Sequence, residues 1–353
     1  MKKIITSIVI ILSVILSLSF ITSLNNSSKN IFDFFTKEQE VVEDNKEKSY
    51  QFVKKVYGGT DGDIYNNFLF MFTSKGQCKV FTADGFGLKC VFDLDKCDVL
   101  PPHANSVFFG NEFYHPNDEF PLLYSNIYNN SDEWLGTMNV YRIQRNGYDF
   151  TSTLVQVVKV DFTDDSNLWA SGVRPYGNFA INKETNKLWA FVSDDLTNST
   201  KFFEFDMPKS NLGDFNGTLG CNVYKLKYED VTDMFNTIYF RFMQGCTIVD
   251  NKLISTEGFT NDTTNIPTIR VVDLKTHKID STNLVDTFGW NNEPEFITYY
   301  NNNLYYISTD SKIYILENFI WWKHKEICLL IKGKQEIVYP LFFKKVRWCY
   351  DII

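Results

Sequence analysis

"MQGCTIVDNKLISTEGF", residues 243–259, decides the fold. A small, polar lead (Gln244, Gly245, Cys246) runs into a short apolar stretch. Asp250-Asn251 interrupts it, and a second stretch runs on to Glu257 and Gly258. Asn, Asp and Gly tolerate the positive φ that tight hairpin turns demand. β-Branched residues in the two runs suit a pleated, half-buried surface. The stretch reads as strand, two-residue turn, strand.

The same phrase recurs. It appears in "DIYNNFLFMFTSKGQCKVFTADG" from residue 63, "ANSVFFGNEFYHPNDEFPLLYSNIYNN" from 104, "GNFAINKETNKLWAFVSDD" from 177 and "PEFITYYNNNLYYISTDSKIYIL" from 294. The expected turns lie at Gly110-Asn111, residues 183–186, Asp250-Asn251 and residues 301–303. Further strands read from "TIRVVDLKTHKIDSTNL", turning at 275–277, and from "MNVYRIQRNGYDFTSTLVQVVKVDF", turning at Asn146-Gly147. "KFFEFDM" and "CNVYKLKY" form a looser pair. Helical periodicity is nearly absent after residue 60, with "KYEDVTDMFN", 227–236, as the main exception.

The units begin near Tyr65, Val107, Phe179, Thr247 and Phe296, at intervals of 42, 72, 68 and 49 residues. A period near 40–50 residues matches four-stranded propeller blades. The two long intervals predict extended loops or one hidden blade. The expected fold is therefore all-β, a β-propeller of five blades of four antiparallel strands, with six blades as the alternative.

"IRVVDLKTHKIDSTNL" followed by "NNEPEFITYYNNNLYYISTDSKIYIL" resembles the blade phrasing of secreted β-propellers. Asn-Glu-Pro-Glu before an inner strand is similar to exported bacterial propellers, helveticin-like proteins among them. The resemblance spans roughly residues 60–318. It implies a propeller fold and export, and no particular reaction, because propellers host hydrolases, lyases, lectins and scaffolds alike.

In a propeller the loop leading into each inner strand opens beside the central channel. Those loops are "PPHAN" (101–105), "VRPYGN" (173–178), "RFMQGC" (241–246) and "WNNEPE" (290–295). They predict a ligand-binding mouth built from His103, Asn105, Arg174, Tyr176 and Asn178 on one part of the chain. Arg241, Gln244, Trp290, Glu293 and Glu295 complete it. Polar loops on a rigid scaffold are favoured binding sites. The plainer readings stand beside this one: a hydrogen-bonded structural histidine, arginines paired with Glu293 or Glu295, and a tryptophan packed between blades.

A glycosidase would need two carboxylates at that mouth. Glu293, Glu295 and Glu257 are the candidates, with Glu293 or Glu295 acting beside His103 or Arg174, but the loops near 105, 178 and 246 add no Asp or Glu. G-x-S-x-G is absent, as is a glycine-rich phosphate loop. No C-x-x-C occurs and the four His are scattered, which leaves a structural zinc site unsupported. Oxygen ligands for Ca2+ cluster only in "TADGFG" (82–87) and "DFTDDSN" (161–167); neither follows an EF-hand pattern, and turns are the plainer reading.

The net charge of −8 argues against a nucleic-acid partner, which would require clustered Lys and Arg. "MKK" precedes an uncharged apolar run, residues 4–24, the pattern of a secretory signal. The run is also long enough to span a bilayer, so cleaved signal and retained anchor both stay open. Either way the rest is exported to the cell surface or beyond, and an extracellular glycan, peptide or protein is the expected partner. The membrane is touched only through the N-terminal segment if it is retained. Residues 25–57 read as a polar linker with a short helix, and 58–353 as the propeller. Residues 320–353 are atypical, with seven Lys or Arg against three acidic residues, and are expected to supply outer strands of the last blade. Export makes disulfides feasible among the seven Cys: one local bridge within Cys78, Cys90 and Cys97, and one between Cys221 and Cys246.

Overall fold

The computed structural model describes residues 47–56, 59–100, 102, 105–127, 134, 136–162, 177–194, 197–240 and 243–319. They form five sheets. The first blade is β2 (Asp61–Tyr65), β3 (Phe68–Phe72), β4 (Gln77–Thr82) and β5 (Leu88–Asp93). The second is β6 (Val107–Phe109), β7 (Leu123–Ile127), β8 (Thr137–Asn146) and β9 (Asp149–Val160). The third is β10 (Gly177–Asn182), β11 (Lys187–Asp194), β12 (Ser199–Asp206) and β15 (Val231–Ile238). The fourth is β16 (Met243–Val249), β17 (Lys252–Glu257), β18 (Thr268–Asp273) and β19 (Ile279–Asn283). The fifth is β20 (Pro294–Tyr300), β21 (Asn303–Ser308), β22 (Lys312–Glu317) and, outermost, β1 (Ser49–Lys55). Neighbouring blades touch in sequence around the ring: β2 meets β6, β10 meets β7 and β16, β16 meets β20, and β20 returns to β2. The molecule is a five-bladed β-propeller.

Local chemistry sets the hairpins. Asn66 and Asn67, Asp250 and Asn251, and Asn301 and Asn302 all hold positive φ at both central positions, between 46° and 63°. Those are the turns whose twist matches the flanking strands. Tight inner hairpins let each middle strand be apolar on both faces. In β3 (FLFMF), Phe70 and Phe72 join a cluster shared with the second blade. Leu69 and Met71 join one shared with the fifth. Alternate side chains point to opposite faces, so a strand sandwiched between two neighbours reads as a continuous apolar run. Three further clusters fill the remaining blade interfaces.

Several expectations are corrected. Residues 49–55, expected in a linker with a short helix, form β1 and pair antiparallel with β22, Ser49 opposite Glu317. β1 thus takes the outer place of the fifth blade; residues 320–353, expected there, lie outside the described residues, as does the apolar run 4–24. Gly110-Asn111 is not a tight turn. β6 pairs with β7, Val107 opposite Ser125, so the connection is longer. "KFFEFDM" and "CNVYKLKY" do not pair: β12 pairs with β15. β14 (Cys221–Leu226) instead joins β9 in parallel, with β13 (Asp214–Asn216) beyond it. This excursion accounts for the long third interval without a sixth blade. In 227–236 the helical turn shrinks to a 3-10 turn at Tyr228–Asp230, followed by β15. Cys78, Cys90, Cys97, Cys221 and Cys246 are free thiols, so neither expected bridge forms. Cys221 packs between the first two blades and Cys246 between the third and fourth, which separates that pair.

β1 is the chain's own clasp on the ring. Tyr50 lies 4.5 Å from Trp290 and 5.5 Å from Tyr314, ring centre to ring centre. Deleting residues 1–56 removes these contacts and bares one edge of β22. The expected loss is at least that of a large core truncation, about 2–5 kcal/mol, read as a lower urea midpoint in equilibrium unfolding.

Candidate functional site

An inner strand pairs along one edge and turns the other toward the axis, which leaves backbone groups to be satisfied. β2 supplies acceptors. Asp61 and Asp63, two residues apart on one face, take Val107 N–H at 2.6 Å and Phe109 N–H at 2.9 Å through their Oδ2 atoms. Gly62 lies between them because a Cβ there would sit 2.0 Å from Phe70 O. Asp63 Oδ1 also accepts Thr298 Oγ1 at 2.6 Å, and Lys183 Nζ stands 3.2 Å from Oδ2. One carboxylate thus ties the first blade to the second, third and fifth.

Asn126 on β7 does similar work nearer the loops. Its Oδ1 accepts the N–H groups of Asn105 and Ser106, each at 2.9 Å. Its Nδ2 donates to Asn178 Oδ1 at 2.8 Å. Asn105 Nδ2 donates to Gln244 Oε1 at 3.0 Å, and Gln244 Nε2 donates to Glu293 Oε1 at 2.7 Å. Asn105, Asn178, Gln244 and Glu293 are therefore joined through Asn126 in one hydrogen-bond network. His103, Arg174, Tyr176 and Arg241 lie outside the described residues. Trp290 is elsewhere: it stacks on Tyr306 at 5.3 Å and packs on Tyr314, within the apolar contact between the fourth and fifth blades.

Glu295 stands next to this network. At Gly245 a Cβ would meet Glu295 O at 2.6 Å and Asp61 Oδ1 at 2.8 Å, so only glycine fits where β16 bulges against β20. Burial, and then the charge of Glu293, pushes the Glu295 carboxyl up to about 8. Burial also raises Glu293. Asp61 lies well above the usual carboxylate range, chiefly through burial and further through Asp63 and Glu295, against the pull of two backbone N–H groups. Asp61 Oδ1 and Asn105 Oδ1 are buried with no hydrogen-bond partner. A carboxyl that keeps its proton donates as well as accepts, so Glu295 and Asp61 bring both kinds of group here. Cys246, at the same level, donates its thiol to Phe179 O at 3.3 Å, and burial pushes it far above the usual thiol range.

Asp61, Asp63 and Asn126 were missed by the sequence reading. "DGDIY" carried a signal, since two Asp at strand spacing must share a face. Residues 82–87 close the β4–β5 hairpin, where Thr82 Oγ1 accepts Gly87 N–H at 3.2 Å; residues 163–167 lie outside the described residues. Among the described residues no group of three or more His, Cys, Asp or Glu gathers as a metal site, and no helix is long and apolar enough to cross a membrane.

No family model matches the chain, and no curated protein matches it. Among solved structures it is similar to BamB from Moraxella catarrhalis, at 9% identity and TM-score 0.30, over 75% of this chain and 61% of that one. The likeness thus spans less than two thirds of that relative. It is also similar to virginiamycin B lyase from Staphylococcus aureus, at 8% identity and TM-score 0.37, over 76% and 99% of the two chains. A computationally designed protein, Ika8, aligns at 12% identity and TM-score 0.32, over 75% and 99%. The propeller assignment stands on the strand pairing itself.

A carboxyl whose folded pKa is raised stabilises the fold below its unfolded pKa and loses that contribution as pH rises through the folded value. For Glu295 the loss runs from about 4.5, the ordinary glutamate value, to about 8. Wild-type unfolding free energy is therefore expected to fall from pH 5 to pH 8. Glu295→Gln, which cannot ionise, should flatten that slope in urea titrations at the two pH values.

Proposed function

We propose that the chain is an exported binding or interaction module that holds an extracellular ligand at the mouth bounded by Asn105, Gln244, Glu293 and Glu295. The observation that carries this reading is hydrogen-bonding capacity left unmet at the mouth. Asp61 Oδ1 and Asn105 Oδ1 are buried and unpartnered, beside two carboxyls raised by burial. A buried acceptor left unpaired costs about 1–3 kcal/mol. A ligand that brings O–H or N–H donors recovers part of that cost. Glycan hydroxyls and peptide or protein amines supply such donors. The positive start and apolar run of residues 1–24 support export.

A second reading, a carbohydrate-active hydrolase or lyase, is favoured by one observation. With its pKa at about 8, Glu295 keeps a proton at neutral pH, as a general acid must. Against it, burial raises Asp61 as well, and Glu293 is tied to Gln244 Nε2 at 2.7 Å.

Glycan and peptide arrays probed with the full chain separate these readings. A binding module is expected to retain a ligand without turning it over. Glu293→Gln should weaken retention about tenfold with the thermal midpoint nearly unchanged, and Gln244→Ala should weaken it as much while lowering the midpoint, because it strands Asn105 and Glu293. Turnover on any glycan that disappears in folded Glu295→Gln would establish the hydrolase or lyase reading instead. Retention unaffected by either mouth substitution would remove the mouth from the account.

A further inference from the structure

Toward the other end of the same inner strands, the axis opens into a cavity of about 190 Å³. All five strands line it: Asp63 of β2, Phe108 of β6, Ile181 of β10, Ile248 of β16 and Tyr299 of β20 are among its walls. Asn178, Gln244 and Glu295 lie near the starts of their strands, whereas Ile181, Ile248 and Tyr299 lie near the ends. The cavity thus lies toward the strand ends and reaches the level of the mouth at Cys246. A single water needs only about 10–15 Å³ of such space, so the cavity has room for a small organic molecule.

Its chemistry is divided. The interior is largely apolar, with Val107, Phe108, Ile181 and Ile248. Two opposite charges, Lys183 and Glu184, stand side by side at the rim, in the turn from β10 to β11. Asn182 Oδ1 fixes that turn by accepting the N–H groups of Glu184 at 3.1 Å and Thr185 at 3.3 Å. Glu184 Oε1 accepts Asp250 N–H at a long 3.3 Å. Lys183 bonds Asp63, but Asp63 also takes Ile64 N–H, Phe109 N–H and Thr298 Oγ1. The ammonium of Lys183, 42% exposed, keeps donors to spare beyond its 3.2 Å bond to Asp63, so it can meet a ligand without leaving that carboxylate.

We propose that this cavity binds a free α-amino acid with an apolar side chain. The ligand carboxylate sits on Lys183, its ammonium on Glu184, and its side chain against Phe108, Ile181 and Ile248. A simple anion would place a third negative charge beside Asp63 and Glu184. A simple cation would face Lys183. A zwitterion satisfies both rim charges and adds no net charge, while its apolar body displaces water from the interior.

Isothermal titration of the full chain with four probes tests this. L-Leucine is expected to fill one saturable site. Isocaproate lacks the ammonium, leucinamide the carboxylate, and glycine the apolar body. Each is expected to bind about tenfold more weakly or worse, as befits loss of one charge-assisted bond or of the buried side chain. Lys183→Met should weaken leucine by about the same factor and erase the preference for leucine over leucinamide. If that variant does not fold, the four probes on the wild-type chain decide alone. Absence of saturable leucine binding overturns the proposal. So does equal binding of isocaproate, leucinamide or glycine, or unchanged leucine affinity in folded Lys183→Met.

Discussion

The ring depends on two buried carboxylates that answer backbone donors. β6 is only three residues long, and its axial edge has no strand to pair with. Asp61 and Asp63 take that role for Val107 and Phe109. Charge-assisted bonds to a backbone N–H are stronger than neutral ones. A carboxylate that collects several of them tolerates burial that would otherwise be prohibitive. Asp63 collects donors from its own strand, from blades two and five and from the turn after β10. Asp61 collects fewer, and its Oδ1 is left over beside Gly245 and Glu295. The same strand therefore holds both a satisfied structural carboxylate and a frustrated one, and the frustrated one marks the mouth.

Around this polar axis the remaining stability is apolar and modular. Each interface between blades has its own cluster, built from strands that are hydrophobic on both faces. No single core spans the ring, so closure matters. The N-terminal strand completes the last sheet, so the two ends of the described chain meet in one blade. Tyr50 seats that strand on Trp290 and Tyr314. This explains why Trp290, which sequence proximity to Glu293 assigned to the mouth, serves packing instead.

The architecture was largely legible because its signals are local. Asn66-Asn67, Asp250-Asn251 and Asn301-Asn302 declare their turns through residues that accept positive φ. Their spacing then counts the blades. What was not legible was non-local. β1 has the composition of a linker and becomes a strand only because β22 offers it an edge. β14 looks like a partner for β12 and is captured in parallel by β9. Asn105, Asn178, Gln244 and Glu293 share one network because the loops leading into neighbouring inner strands lie side by side. Asp61 and Asp63 were passed over because they lie inside a strand, where charge is usually excluded. Their purpose is visible only once β6 is seen to have an open edge.

The exchange of backbone amide protons at Val107 and Phe109 tests the central claim most directly. The account predicts that both amides, though they face the axis with no strand beside them, exchange as slowly as those of β3. Asp63→Ala should release Phe109 selectively while β3 stays protected. Fast exchange of Val107 and Phe109 in the native protein, at the rate of exposed loop amides, would contradict it.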